Sequence, residues 1–253
     1  MTDARTEEFL SAVGPLVVIN LPNRTDRRDE FAEQLARIGL SLDHPKASLF
    51  PAIRPDAADG FPTIGTRGCF LSHLSVLRQA LSQGQDSVLI CEDDLDFVPG
   101  ALSRFSEVGS QLKSRSWNIF YGGYDSAPPG ELVAPGLVRV APDHGIVCAH
   151  FYAVRGAAIG DLVRYLEAIL TRPPGHPDGG LMHYDGALAW FRKDHPHYTT
   201  LATVPELGVQ RPSRTDIHAL RWFDRWPVVR SLASSLRRAR SLVRQRANRG
   251  ADA

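Results

Sequence analysis

Cysteine is scarce in this chain: Cys69, Cys91 and Cys148 are the only three among 253 residues. They are too few and too scattered for a disulfide framework or a zinc site, and they point to a reducing compartment. Long apolar runs are missing as well. No window approaches the roughly 18–20 uninterrupted apolar residues that a bilayer-spanning helix requires. The opening MTDARTEEFL is acidic and polar, unlike the basic and then apolar stretch of a secretory signal, so a cytoplasmic location is expected. Nor does one sign of charge dominate, because 29 Lys and Arg face 28 Asp and Glu for a formal charge of +1. What is present is ordinary for a globular protein: 43% hydrophobic and 23% charged residues. That is enough apolar side chain to offset the entropy of ordering, which excludes disorder over most of the length. The size fits one large domain or two small ones, each with a sizeable core.

The balanced charge hides an uneven distribution. Between Arg221 and Arg249 there are nine Arg, no Lys and one acid, Asp224, a net +8 that leaves the remainder near −7. A mildly acidic body therefore carries a strongly basic tail. Val229, Ala233 and Leu236 recur there at helical spacing after Pro227, with Trp222, Phe223 and Trp226 just upstream. The expectation is an amphipathic helix lying on an anionic membrane surface through arginine and aromatic side chains, with the last residues disordered. A solvated basic tail is the plain alternative. Nucleic-acid binding is not expected, because the body is acidic and carries no binding motif.

Along the chain, Pro15–Leu21 (PLVVINL) is a short Val- and Ile-rich run that reads as a buried strand. Phe31, Leu35 and Ile38 then recur at helical spacing, with Asp26 as the candidate start cap and Gly39 as the stop. Residues 41–66 carry four prolines and little periodicity, which predicts a long irregular connection. Phe70, Leu74, Leu77 and Leu81 line one face of a helix over about 68–82. Strands are predicted at Ser87–Cys91 and Trp117–Gly122, and a pair of strands at 136–140 and 146–154 with a turn between them. Ala157–Leu170 and Asp185–Arg192 read as helices. The alternation of strand and helix up to about residue 125 predicts an α/β fold with a mostly parallel sheet.

Glu92, Asp93, Asp94 and Asp96 follow the Ser87–Cys91 strand. So many carboxylates beside a buried strand repel one another unless something cationic joins them. Ligands of open α/β sheets bind at the carboxyl ends of the strands, where these acids lie. A Mn²⁺ or Mg²⁺ ion held by Glu92, Asp93 and Asp94 and bridging to a nucleotide diphosphate fits this chemistry. The alternatives are a solvated acidic turn and a phosphate-accepting receiver domain, but the later Asp and Lys that a receiver needs are not found.

Four blocks in this chain resemble glycosyltransferase family 25, the lipopolysaccharide-type and collagen-type galactosyltransferases. They are VVINLPNRTDRRDEF (Val17–Phe31), GTRGCFLSHLSVLRQAL (Gly65–Leu81), VLICEDDLDF (Val88–Phe97), and a weaker echo in His183-Tyr184-Asp185 and PELGVQRPSRTDI (Pro205–Ile217). One departure stands out: Thr66 occupies a position where much of the family has Glu. The resemblance implies a GT-A-like, Rossmann-type nucleotide-sugar-binding fold with a smaller acceptor-side C-terminal part. The expected division is a domain over 1–220, with 15–125 holding the nucleotide sugar and 126–220 facing the acceptor, followed by the basic helical tail at 221–253. It also implies inverting transfer of a hexose, often galactose from UDP-galactose, to a cell-envelope saccharide. Inversion takes one direct displacement, so the site needs a metal for the leaving diphosphate and one general base.

Roles follow on that footing. Asn20, Arg24 and Arg27, after the first strand, are candidates for nucleotide contact, with Asp93 beside them, and arginine suits bidentate phosphate binding. Ser72 and His73 are candidates for hydrogen bonding a sugar, although a helical His is more often a satisfied structural group. Asp185 and Asp125 are the candidate bases, against the plainer reading of each as a loop or N-cap carboxylate. Gln210, Asp216 and His218 are candidates for a late wall of the site, whereas Cys69 and Cys91 read as packing residues. The rival reading is a catalytically inactive nucleotide- or glycan-binding relative.

Overall fold

A computed structural model of the protein describes residues 2–211. The candidates Asp216 and His218, and the basic tail at 221–253, lie outside the described residues.

The elements run α1 (Ala4–Val13), β1 (Leu16–Asn20), α2 (Thr25–Arg37), β2 (Ala47–Pro51), α3 (Ile64–Ser82), β3 (Ser87–Glu92), β4 (Leu95–Phe97) and α4 (Ala101–Lys113). They continue with β5 (Ile119–Tyr121), β6 (Glu131–Ala134), β7 (Leu137–Val140), β8 (Phe151–Arg155), α5 (Ala157–Leu170), α6 (Tyr184–Asp194), β9 (Thr200–Thr203) and β10 (Gly208–Gln210). Eight strands form one sheet in the order β2-β1-β3-β8-β5-β9-β7-β6, and β4 pairs with β10 separately. Both faces of the sheet are covered, which is why its central strands are apolar without alternation. Val88 and Ile90 of β3 face α3, α5 and α6 through Leu74, Leu77, Leu162 and Phe191. Leu89 and Cys91 face the other way, with Phe9, Phe31 and Phe105 of α1, α2 and α4. The result is a three-layer α/β domain.

The expected α/β class holds, but the sheet is mixed rather than mostly parallel. β1 runs parallel to β2 and β3, and β5 parallel to β9. β8 is antiparallel to both β3 and β5, and β7 to both β6 and β9. The strands predicted at 136–140 and 146–154 therefore exist only in part and do not pair with each other: β8 enters the sheet centre instead. The connection predicted as irregular over 41–66 contains the edge strand β2. Asp26 is not the cap of α2; it lies in the first turn, one residue beyond Thr25, and Arg24 occupies the cap position without a side-chain cap bond. α3 begins at Ile64, earlier than predicted, because Thr63 caps it by accepting the Thr66 N–H at 3.0 Å.

Candidate active site

Strand β1 lies between β2 and β3, so the chain departs to opposite sides of β1 and opens a crevice at the carboxyl ends of β1 and β3. In register, Ile19 of β1 pairs with Glu92 of β3. Asn20 and the acidic run are thereby neighbours, although more than seventy residues separate them in sequence. The Asn20 amide donates to Asp93 Oδ2 at 2.7 Å, and Arg27, from the first turn of α2, donates to Asp93 Oδ1 at 2.9 Å and lies 3.7 Å from Asp94 Oδ2. Asp96, on β4, turns away and receives Arg211 Nη2 at 2.7 Å. Glu92 turns the other way, to His73 Nε2 at 3.2 Å. Much of the cationic partner that the acidic run demanded thus comes from the chain itself.

The environments push these carboxyls apart. Burial raises Asp93 above its ordinary value, opposed by Arg27 and Asn20. Burial and then the negative charge of Glu92 push Asp94 up to about 7. Burial works against the charged form of Glu92 too, but the hydrogen bond and charge of His73 outweigh it and hold Glu92 below its ordinary value.

His73 is fully buried and both ring nitrogens are engaged. Nδ1 meets the Tyr152 hydroxyl at 3.0 Å, and that hydroxyl meets the Tyr184 hydroxyl at 2.7 Å. The Tyr184 ring stacks on the imidazole with centroids 4.1 Å apart. A run of hydrogen bonds therefore reaches from α6 to Glu92, and it orients the imidazole as an outer partner orients a ligand histidine. Cys69, one turn before His73, brings its Sγ to 3.8 Å from Glu92 Oε1. Cys69, His73 and Glu92 have ligand atoms within 4.8 Å of one another, which makes them a possible metal-holding group among the described residues. Cys91 is the packing residue expected, whereas Cys69 lines the site.

Two cavities adjoin this centre. The larger, about 280 Å³, lies between β1, the loop after β2, and α3. Arg27, Ser72, His73 and the three acids Glu92, Asp93 and Asp94 line it together with aliphatic residues. The smaller, about 110 Å³, is lined by Thr66, Cys148, His183, Asp185 and Gln210. Glu92 and Cys69 belong to both.

Asp185 opens α6 inside the smaller cavity, its carboxylate accepting the Cys148 N–H at 3.0 Å and the Gly186 N–H at 2.8 Å. Asp125 is exposed, takes the Ser126 hydroxyl at 3.2 Å and lines neither cavity. Gln210 reaches Asp94 at 3.4 Å. The Ser72 hydroxyl is occupied at both ends, donating to Gly68 O at 2.6 Å and accepting the Ile53 N–H at 2.8 Å. Arg24 pairs with Asp26 at 2.8 Å and lines neither cavity. Thr66, the point of departure in the second block, is buried against the smaller cavity.

Sequence reasoning missed Arg54, Cys148 and the tyrosine pair. Cys148 holds φ +73°, a left-handed conformation rare outside glycine, where its amide meets Asp185. No local sequence signal marks that turn. Arg54 stood in a run without periodicity.

Comparisons with known proteins meet this geometry. Residues 14–125 match the family model described as Glycosyltransferase family 25 (LPS biosynthesis protein), so the resemblance read from the first three blocks is borne out over this stretch. A glycosyltransferase 25 family member of Anopheles gambiae is 28% identical over 130 residues, 43% of this chain and 21% of that protein. The inactive glycosyltransferase 25 family member 3 of Mus musculus is 28% identical over 159 residues, 53% of this chain and 27% of that one. The matched stretch thus spans about a fifth to a quarter of these relatives. Among solved structures, UDP-glucose pyrophosphorylase complexed with UDP-glucose aligns with TM-score 0.44 and 11% identity, covering 78% of this chain and 75% of that one. A glycosyltransferase involved in glycosylation of the major capsid of PBCV-1 aligns with TM-score 0.38 and 12% identity, covering 79% and 92%.

Proposed function

We propose, with the family 25 match as premise, that the protein is an inverting, metal-dependent glycosyltransferase. It moves a hexose, galactose from UDP-galactose being the expected donor, to a lipopolysaccharide or other cell-envelope saccharide. The observation that carries this reading is the sharing of Glu92 by two cavities. One has aliphatic walls and acids suited to a nucleotide diphosphate and its ion, and the other contains a carboxylate suited to a base. The division into a donor part at 15–125 and an acceptor part at 126–220 follows the same line.

In the displacement, an acceptor hydroxyl oxygen bonds to the anomeric carbon as the bond from that carbon to the phosphate oxygen breaks. The bonding pair leaves on the diphosphate, and the hydroxyl proton passes to the base. Asp185 is the candidate base. Each of its oxygens accepts one backbone N–H, which orients the carboxylate and leaves a lone pair on each oxygen. Asp125, outside both cavities, is the weaker candidate.

A Mn²⁺ or Mg²⁺ ion would supply positive charge to the leaving diphosphate. The residues fit such an ion: Asp94 is a buried oxygen donor pushed up to about 7 by burial and by Glu92, a carboxyl whose charged form gains most from a nearby cation. Asp93, already held by Asn20 and Arg27, would orient that pair. The Cys69, His73 and Glu92 set has softer donors, better suited to zinc than to these hard ions.

Slow hydrolysis of nucleotide sugars with Mn²⁺ tests the reading, since it needs no acceptor. Release of one sugar from the panel is expected. Nucleotide binding with no hydrolysis or transfer would favour the inactive alternative, of which the murine relative's name is an example. No described helix is long and apolar enough to cross a membrane, and a lipid-linked acceptor would be reached by docking the 221–253 tail on anionic lipid. Co-sedimentation of the full chain and a version ending at Leu220 with anionic vesicles checks this. Salt-sensitive pelleting of the full chain alone is expected, and equal pelleting of both removes the tail as anchor.

A further inference from the structure

We propose that Arg54 contacts the diphosphate of the nucleotide donor and neutralises charge gathered there as the sugar–phosphate bond breaks. The assignment rests on the nucleotide-sugar reading of the larger cavity. Arg24 and Arg27 were the residues expected to do this from their position after β1. Both guanidiniums are engaged with acids, Arg24 with Asp26 at 2.8 Å and Arg27 with Asp93 at 2.9 Å. A guanidinium that already compensates a buried carboxylate leaves Asp93 uncompensated if it turns to a phosphate, a costly exchange in a partly dry site.

Arg54 differs on each count. It lines the larger cavity and is exposed at its rim. Among the described residues, no acid or carbonyl is paired with it. Its backbone is nevertheless fixed. The Ala52 N–H donates to Asn20 O at 2.9 Å, and the Ile53 N–H donates to Ser72 Oγ at 2.8 Å. Gly68 allows this loop to rest directly on α3, because a Cβ there would lie 2.5 Å from Ile53 O. Pro55 restricts the residue before it to extended conformations. An anchored backbone carrying uncommitted donors is the arrangement that binds a charged group with little ordering cost.

The position also suits a nucleotide. One flank of the cavity is aliphatic, formed by Leu21, Ile53, Pro55 and Ile64, and would take a base or ribose face. The same cavity carries Glu92, Asp93 and Asp94, which repel a diphosphate unless cations intervene. Arg27 offsets Asp93, so the incoming phosphates need further positive charge. Arg54 supplies it from the rim, with the planar fork that matches two phosphate oxygens.

Calorimetric titration of the full chain with Mn²⁺ tests this, using UDP, GDP, CDP and ADP, each beside its free nucleoside. Charge-assisted hydrogen bonds of this kind correspond to about 10- to 100-fold in affinity. Arg54→Ala should therefore weaken the preferred diphosphate by about that factor while its nucleoside binds as before, with Arg54→Lys in between. An exposed side chain should be replaceable without a change in melting temperature. Equal diphosphate affinity in Arg54→Ala and wild type would overturn the assignment and leave the cavity reading intact. Equal losses for diphosphate and nucleoside would also overturn it, making Arg54 a support for the loop. Wild-type protein that binds no diphosphate in the panel would overturn the nucleotide-sugar reading itself.

Discussion

The two cavities share Glu92 and Cys69 and differ in nearly everything else. The larger has arginines, three consecutive acids and an aliphatic flank. The smaller is built around Asp185, Cys148 and Gln210 and, among the described residues, contains no arginine or lysine. A cavity with compensated acids suits an anionic ligand carrying its own cation. A small cavity with one oriented carboxylate suits a neutral hydroxyl that must lose a proton. Glu92, held ionised by His73, stands at the junction where the two reactants would meet. On the proposed reading the difference would separate donor binding from proton removal, and each can be attacked without the other.

The largest effect is expected on the donor side. Asp94→Asn keeps shape and removes charge, so turnover should fall by about 10³-fold or more, the several kcal/mol that a bound ion contributes, with an unchanged circular dichroism spectrum. EDTA should do the same to the wild type. Wild-type-like activity in the variant, or full activity in EDTA, would remove the ion from the larger cavity and erase the contrast.

On the other side, Asp185→Ala should cut transfer by roughly 10² to 10⁴, the usual worth of a general base, with nucleotide affinity near normal. A collapse of nucleotide affinity would move Asp185 to the donor side and make Asp125 the better base. Cys148→Gly sharpens the same point, since glycine adopts φ +73° without strain. The amide that holds Asp185 should survive, and so should activity.

Much of the donor side was legible locally. β3 ends in its acids where the Val- and Ile-rich run stops, and Phe70, Leu74 and Leu77 are buried on α3 as their spacing required, whereas Leu81, placed on the same face by spacing, is exposed at the helix end. The acceptor side was not, because its contacts are non-local. Asp185 meets Cys148 37 positions away. A non-local contact hid a donor-side role as well, since Arg27 meets Asp93 66 positions away. Reading Arg27 from its own loop assigned it to phosphate, while the acid that engages it belongs to another strand. The acidic, polar opening hid α1 for a related reason: Phe9 finds its partner, a stacked ring at 4.5 Å, in Phe105 of α4.

The smallest effect is on stability, and it asks whether the strain in the acids belongs to the larger cavity. Asp94 is pushed from 3.8 up to about 7, by burial first and Glu92 second. In metal-free protein the folded state keeps that proton over an interval where the unfolded chain has released it. The contribution is present in full below about pH 4, falls as the pH rises, and is gone above about pH 7, at most ~4 kcal/mol by linkage. Glu92, held low, works in the opposite direction, losing stability as the pH falls. A variant comparison therefore isolates Asp94 where a single profile would not. In EDTA, the wild type should lose more melting temperature between pH 5 and pH 8 than Asp94→Asn, which cannot ionise. Adding Mn²⁺ at pH 8 should restore the wild type and leave the variant nearly unmoved, since the ion pairs with the charge that folding disfavours. Parallel pH profiles for the two proteins would mean that Arg27 already keeps Asp94 ionised, and the acids of the larger cavity would then need no ion to settle them.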